Sequence, residues 1–168
     1  MTTNNNKIII YNNFSCAEPA QQEEEKKNFY EIFFFKNAAD PAAEVEKFIA
    51  YNDSLEWRNE KGRTYDTPES RLGLARFWEI KADGQWARPE YVKAVKAIYD
   101  EAIKENIEGV EVLIDQKVNL KWNGQNQSWI WECTVGAYEW IQNNFDIVKK
   151  HIKPVLGQKT SVNYKKVA

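Results

Sequence analysis

The chain is poor in the residues that most often carry chemistry. It has one histidine, His151, and two cysteines, Cys16 and Cys133, which lie far apart. That set does not form the spaced ligands of a zinc site or a redox pair. Gly62, Gly73, Gly84 and Gly109 are scattered, so neither a phosphate-cradling loop nor a dinucleotide fingerprint is present. No apolar run approaches membrane-spanning length, and the opening Met-Thr-Thr-Asn-Asn-Asn lacks the charged-then-apolar order of a secretion signal. A soluble, cytoplasmic protein is expected. Neither sign of charge dominates: 23 basic residues face 25 acidic ones, for a net charge of −2. Bulk electrostatics therefore drive it toward neither nucleic acid nor an acidic membrane.

Aromatic residues, by contrast, are abundant. They make up 14% of the 168 residues, with seven tryptophans, which argues for a packed core despite the polar average. The length suits one domain over 1–168, with 1–6 and 157–168 frayed.

The segment from Val110 to Trp140 has the clearest pattern, two alternating runs separated by Asn123-Gly124. A two-residue turn of positive φ at Asn-Gly is the strongest short hairpin signal. It predicts that Trp122 faces Gln125, Leu120 faces Gln127, Val118 faces Trp129 and Ile114 faces Cys133. Val110, Val112, Ile114, Val118, Leu120 and Trp122 then share an apolar face with Trp129, Trp131 and Cys133. Lys117, Asn119 and Lys121 fall on the opposite face, where Asp115 meets Glu132.

Elsewhere the pattern predicts strands at 7–11 and 29–35 and an exposed acidic loop over 15–27. Asp40-Pro41 opens a helix with a buried stripe of Val45, Phe48 and Ile49. Residues 58–70 read as a loop. Leu72, Leu74, Trp78 and Ile80 alternate as a strand, although Thr67-Pro68-Glu69 could equally open a helix. Pro89–Asn106 reads as a helix on the stripe Val92, Val95, Tyr99 and Ala102. A last helix over Val135–Ile152 is capped by Thr134 and stopped by Pro154. The expected fold is α+β: a single domain with a mostly antiparallel sheet of about five strands and three helices on one face.

Three constellations bear on function. A Cys133–His151 dyad would need the thiol to leave the apolar face, and His151 fits instead as a cation at a helix C-terminus. Asp115 and Glu132, close across the hairpin, form a candidate acid/base or metal-binding pair, with Lys117 near enough to neutralise it. All five arginines lie between 58 and 88, interleaved with rings: Trp57-Arg58, Arg63 near Tyr65, Arg76-Phe-Trp78 and Trp86-Ala-Arg88. Guanidinium groups grip phosphate or carboxylate bidentately, and flat rings offer stacking surfaces. The ordinary alternative is that Glu56, Glu60, Asp66, Glu69 and Glu79 pair with these arginines.

The expectation is a non-enzymatic protein that engages a protein partner, as an inhibitor or adaptor would. Its contact surface would consist of Arg63, Arg71, Arg76, Arg88, Trp78 and Trp86. The alternatives are a nucleotide or single-stranded nucleic acid binder using the same residues, and a metal-assisted hydrolase using Asp115 and Glu132. No cofactor is implied.

Overall fold

The computed structural model describes residues 14, 17–80, 89–157 and 161–167. They fall into two compact units, within 1–85 and within 86–168. The strand expected at 7–11 lies outside the described residues.

The first unit is helical. Its elements are α1 (Pro19–Phe35), α2 (Pro41–Ser54) and α3 (Pro68–Phe77). Each opens with proline, which costs nothing at a first turn where the amide has no partner. Helix α1 replaces both the loop expected at 15–27 and the strand expected at 29–35. Glu25, Phe29 and Phe33 are buried at four-residue spacing, a helical stripe. Its end is set by Asn37 at φ 62°, with the Ala38 amide donating to the Phe33 carbonyl at 3.0 Å. Helix α2 starts at Asp40, whose carboxylate accepts from the Ala43 amide.

Helix α3 replaces the strand expected at 71–81. Its capping box decides the matter. Thr67 Oγ1 accepts from the Ser70 amide and Ser70 Oγ accepts from the Thr67 amide, both at 3.2 Å, so two orphan donors are satisfied. Phe48 is the packing centre of the unit. Its ring meets Phe29 at 5.0 Å, Phe33 at 5.5 Å, Trp57 at 5.7 Å and Trp78 at 5.2 Å, all edge to face. That is the geometry the ring quadrupoles favour.

The second unit contains α4 (Pro89–Lys104), a short 3-10 helix (Val110–Ile114), β1 (Asn119–Asn123), β2 (Ser128–Cys133), α5 (Val135–Asn143), α6 (Phe145–Leu156) and β3 (Ser161–Lys166). The sheet has three strands in the order β1-β2-β3, with β1 antiparallel and β3 parallel to β2. Among the described residues, six α-helices and three strands thus replace the expected five strands and three helices; the fold remains α+β. Four changes in this unit account for its share of the difference.

Val110–Ile114 coils after Gly109, at φ 85°, and buries Val110, Leu113 and Ile114 rather than alternate residues. The hairpin closes at Asn123↔Ser128 and not at Asn123-Gly124 itself. Asn123 Oδ1 accepts from the amides of Gln125 (3.0 Å) and Asn126 (3.3 Å), and Gln127 takes φ 53°, which completes a longer loop. In this register Trp122 faces Trp129 and Leu120 faces Trp131. Apolar side chains thereby oppose rings where the shorter turn would set amides against them. Because the register moves by an even number of positions, each residue keeps its face of the sheet.

The expected last helix breaks at Asn144 (φ −127°, ψ 35°) into α5 and α6. Thr134 caps α5, accepting from the Ala137 amide at 3.1 Å. Pro154 sits inside α6 without stopping it, since the buried Val148 and Ile152 hold that helix down. The supposed frayed tail supplies β3, whose Trp129↔Val162 and Trp131↔Tyr164 pairs extend the apolar face.

Candidate functional site

The first unit carries a groove of about 540 Å³ between α2 and the end of α3. On one side it is lined by Glu44, Lys47, Phe48, Tyr51 and Asn52, which follow each other along one face of α2. Leu74, Phe77, Trp78 and Glu79 form the other side.

The α3 terminus is held in place from outside the helix. Lys36, just past α1, points its ammonium at the carbonyls left open there. It donates to Ala75 at 3.4 Å, to Arg76 at 3.0 Å and to Trp78. A cation at this position complements the helix dipole. Desolvation lowers the Lys36 pKa below its usual 10.5, and the nearby charge of Glu44 opposes that shift. Trp78 is fixed from the other side. Its Nε1 donates to Glu44 Oε2 at 2.6 Å, and its ring packs against Phe48 and, at 5.4 Å, against Tyr51. Glu44 also faces Lys47 at 3.8 Å.

Anchoring both neighbours of Phe77 leaves its ring pointing into solvent at 90% exposure. Tyr51 on α2, at 53%, and Leu55 just past its end, at 44%, add further exposed apolar surface to this unit. An isolated exposed apolar residue is ordinary; here a nearly bare phenylalanine stands at an aromatic groove.

Among the described residues, the arginine-rich segment does not lie whole on one surface. Arg71 is fully buried, so it leaves the contact surface. Its Nη1 lies 3.5 Å from Glu25 Oε1, its Nε donates to the Tyr65 carbonyl at 2.9 Å, and its guanidinium stacks 4.7 Å from the Trp57 ring. Arg63 is exposed, its amide held by Asn59 Oδ1. Arg76 is exposed next to Phe77, and Trp78 is half-buried. Trp86 and Arg88 lie outside the described residues. Of the six expected contact residues, Trp78 thus lines the groove, and Arg76 precedes the groove residue Phe77 in the chain. Tyr51 and Lys36 had no place in the sequence reading, and Phe77 entered it only as the ring between Arg76 and Trp78. Reading Thr67-Pro68-Glu69 as a cap would have exposed Phe77, because it falls opposite the buried Arg71–Ala75 stripe of α3.

The other candidates are dispersed. Glu132 pairs in register with Asn119 and forms a salt bridge with Lys121 at 3.2 Å, so it does not face Asp115. Asp115 instead closes a turn, accepting from the Lys117 amide at 2.8 Å. Among the described residues no three histidine, cysteine or carboxylate side chains gather as a metal would need. Burial pushes the Cys133 thiol up to about 12, and its Sγ donates to the Trp131 carbonyl. His151 Nε2 meets Glu101 Oε1 at 2.8 Å. Among the described residues, no helix is long and apolar enough to cross a membrane. Compared with known proteins, the chain matches no family model, no curated protein and no solved structure.

Proposed function

We propose that the chain is a non-enzymatic binding protein of the cytoplasm that engages a protein partner, as an inhibitor or adaptor does, through the groove between α2 and α3. One observation carries this reading: Phe77 is 90% exposed while the residues on either side of it are tied down. A ring held out on a fixed backbone loses little freedom on binding, which is what makes an aromatic side chain a strong anchor. Arg76 beside it supplies a charged rim.

The two charged groups that hold Trp78 favour recognition over reaction. Glu44 is engaged by Trp78 and Lys47, and Lys36 by three carbonyls. A group already holding the fold together is poorly placed to move a proton. Among the described residues the arginine contribution narrows to Arg63 and Arg76, since Arg71 is sealed inside.

Capture from the native host, with and without nuclease, tests the proposal when wild type is compared with Phe77→Ser. An exposed ring can be removed with a stability change of about 0.5 kcal/mol or less. A partner held through a hot spot should weaken by roughly 30-fold or more. Support is a nuclease-resistant protein retained by wild type and lost from the variant. Equal capture by both refutes the site, and loss of every captured species to nuclease favours single-stranded nucleic acid instead.

A further inference from the structure

The second unit has its own exposed aromatic feature, at the tip of the β1–β2 hairpin. Trp122 and Trp129 are cross-strand partners with ring centroids 5.2 Å apart and planes inclined by 65°. Trp122 is nevertheless 49% exposed. An indole pair of this kind stabilises a hairpin in its own right. That accounts for the contact between the rings but not for the chemistry around them.

From Trp122 to Trp129, eight consecutive residues carry no charge, in a chain that is 29% charged. The loop between the rings presents Gln125, Asn126 and Gln127 to solvent. Each primary amide offers two donors and an acceptor. The backbone beneath them is organised in advance by the Asn123 carboxamide and by the left-handed turn at Gln127. Lys121, the nearest strand cation, lies on the opposite face of the sheet and is engaged by Glu132.

We propose that this tip is a binding platform for a neutral glycan. A pyranose has an apolar C–H face and a rim of hydroxyls. The face would stack on the Trp122 indole, and the hydroxyls would exchange hydrogen bonds with the loop amides. Single-stranded nucleic acid would use the same rings but requires cations for its phosphates, and the eight residues from Trp122 to Trp129 supply none. A charged peptide would meet no opposite charge on those eight residues.

Isothermal titration of the full chain with cello-, malto-, chito- and manno-oligosaccharides, alongside a short oligothymidylate, tests the proposal. Saturable binding of at least one neutral glycan is expected, weakened about tenfold or more by Trp122→Ala. Because that change also removes the indole pair, the double variant Gln125→Ala/Asn126→Ala carries the decision. Its side chains lie in solvent, and it should bind the same sugar several-fold more weakly at unchanged melting temperature. The proposal is overturned by the absence of heat with all four glycan classes, by equal affinity in the amide variant, or by binding of oligothymidylate in place of sugar.

Discussion

Arg71 shows how far a side chain's surroundings can override its usual behaviour. Arginine between aromatic residues reads as a surface grip, yet this one is sealed among Glu25, Trp57 and the Tyr65 carbonyl. A buried ion pair gains little over well-packed apolar groups, but removing one partner strands the other charge. Arg71→Ala should therefore destabilise the first unit by about 3–5 kcal/mol in urea denaturation. The double change Arg71→Met/Glu25→Leu should recover most of that loss. A cost below about 1 kcal/mol for the single variant would show that the pair does not hold α1 to α3. Trp57 at the same junction has a left-handed backbone (φ 53°) and is buried to 1% exposure, so packing also outweighs local backbone preference there.

Contacts between elements place the next test at α4 and α6. Glu101 on α4 receives both Lys150, at 3.1 Å, and His151, at 2.8 Å, from α6. These two partners, His151 first, hold the Glu101 carboxyl below its usual 4.5. In the unfolded chain the carboxylate takes up its proton near that usual value, whereas in the folded chain it stays ionised to lower pH. The link therefore contributes fully above about pH 4.5 and is lost as pH falls through the depressed value. The melting-temperature gap between wild type and Glu101→Gln should be open at neutral pH and close as the pH falls toward 3. A gap that stays constant with pH would rule out the ionic link. Elements were also where sequence reading met its limit. Short apolar runs such as Phe29–Phe35 fit a strand or a buried helix equally well. The deciding residues, Glu25 and the polar turns before it, lay in what read as a separate loop.

Across the whole chain, each unit surrounds its own aromatic centre, Phe48 in the first and Trp131 in the second, the latter flanked by the rings of Tyr91 and Tyr164. The second centre makes the protein sensitive to alkali. Burial raises the Cys133 thiol from about 9.0 to about 12. It also raises the Tyr164 hydroxyl from about 10.0 to about 12, with the neighbouring Cys133 adding to the shift. The unfolded chain loses these protons first, so stability is intact below pH 9 and falls as the pH rises toward 12. The urea midpoint should drop between pH 8 and pH 10.5, and Cys133→Ala should make that drop smaller. An identical pH dependence in the variant would remove the thiol from this account.

The sequence by itself determined what depends on neighbours along the chain. Asp40 and Thr134 cap their helices, α4 carries its stripe, and Leu120, Trp131 and Cys133 share one face of a hairpin; all were legible from spacing and side-chain chemistry. Tertiary structure decided what depends on distant partners. It set the hairpin register by pairing rings, drew the C-terminal residues into β3, buried Arg71 against Glu25, and brought Lys36 to the end of α3 so that Phe77 points outward. The division has a physical cause. Caps and stripes are satisfied within one or two turns of chain, whereas burial, ion pairing and strand order compare contacts between segments whose spacing in sequence carries no signal.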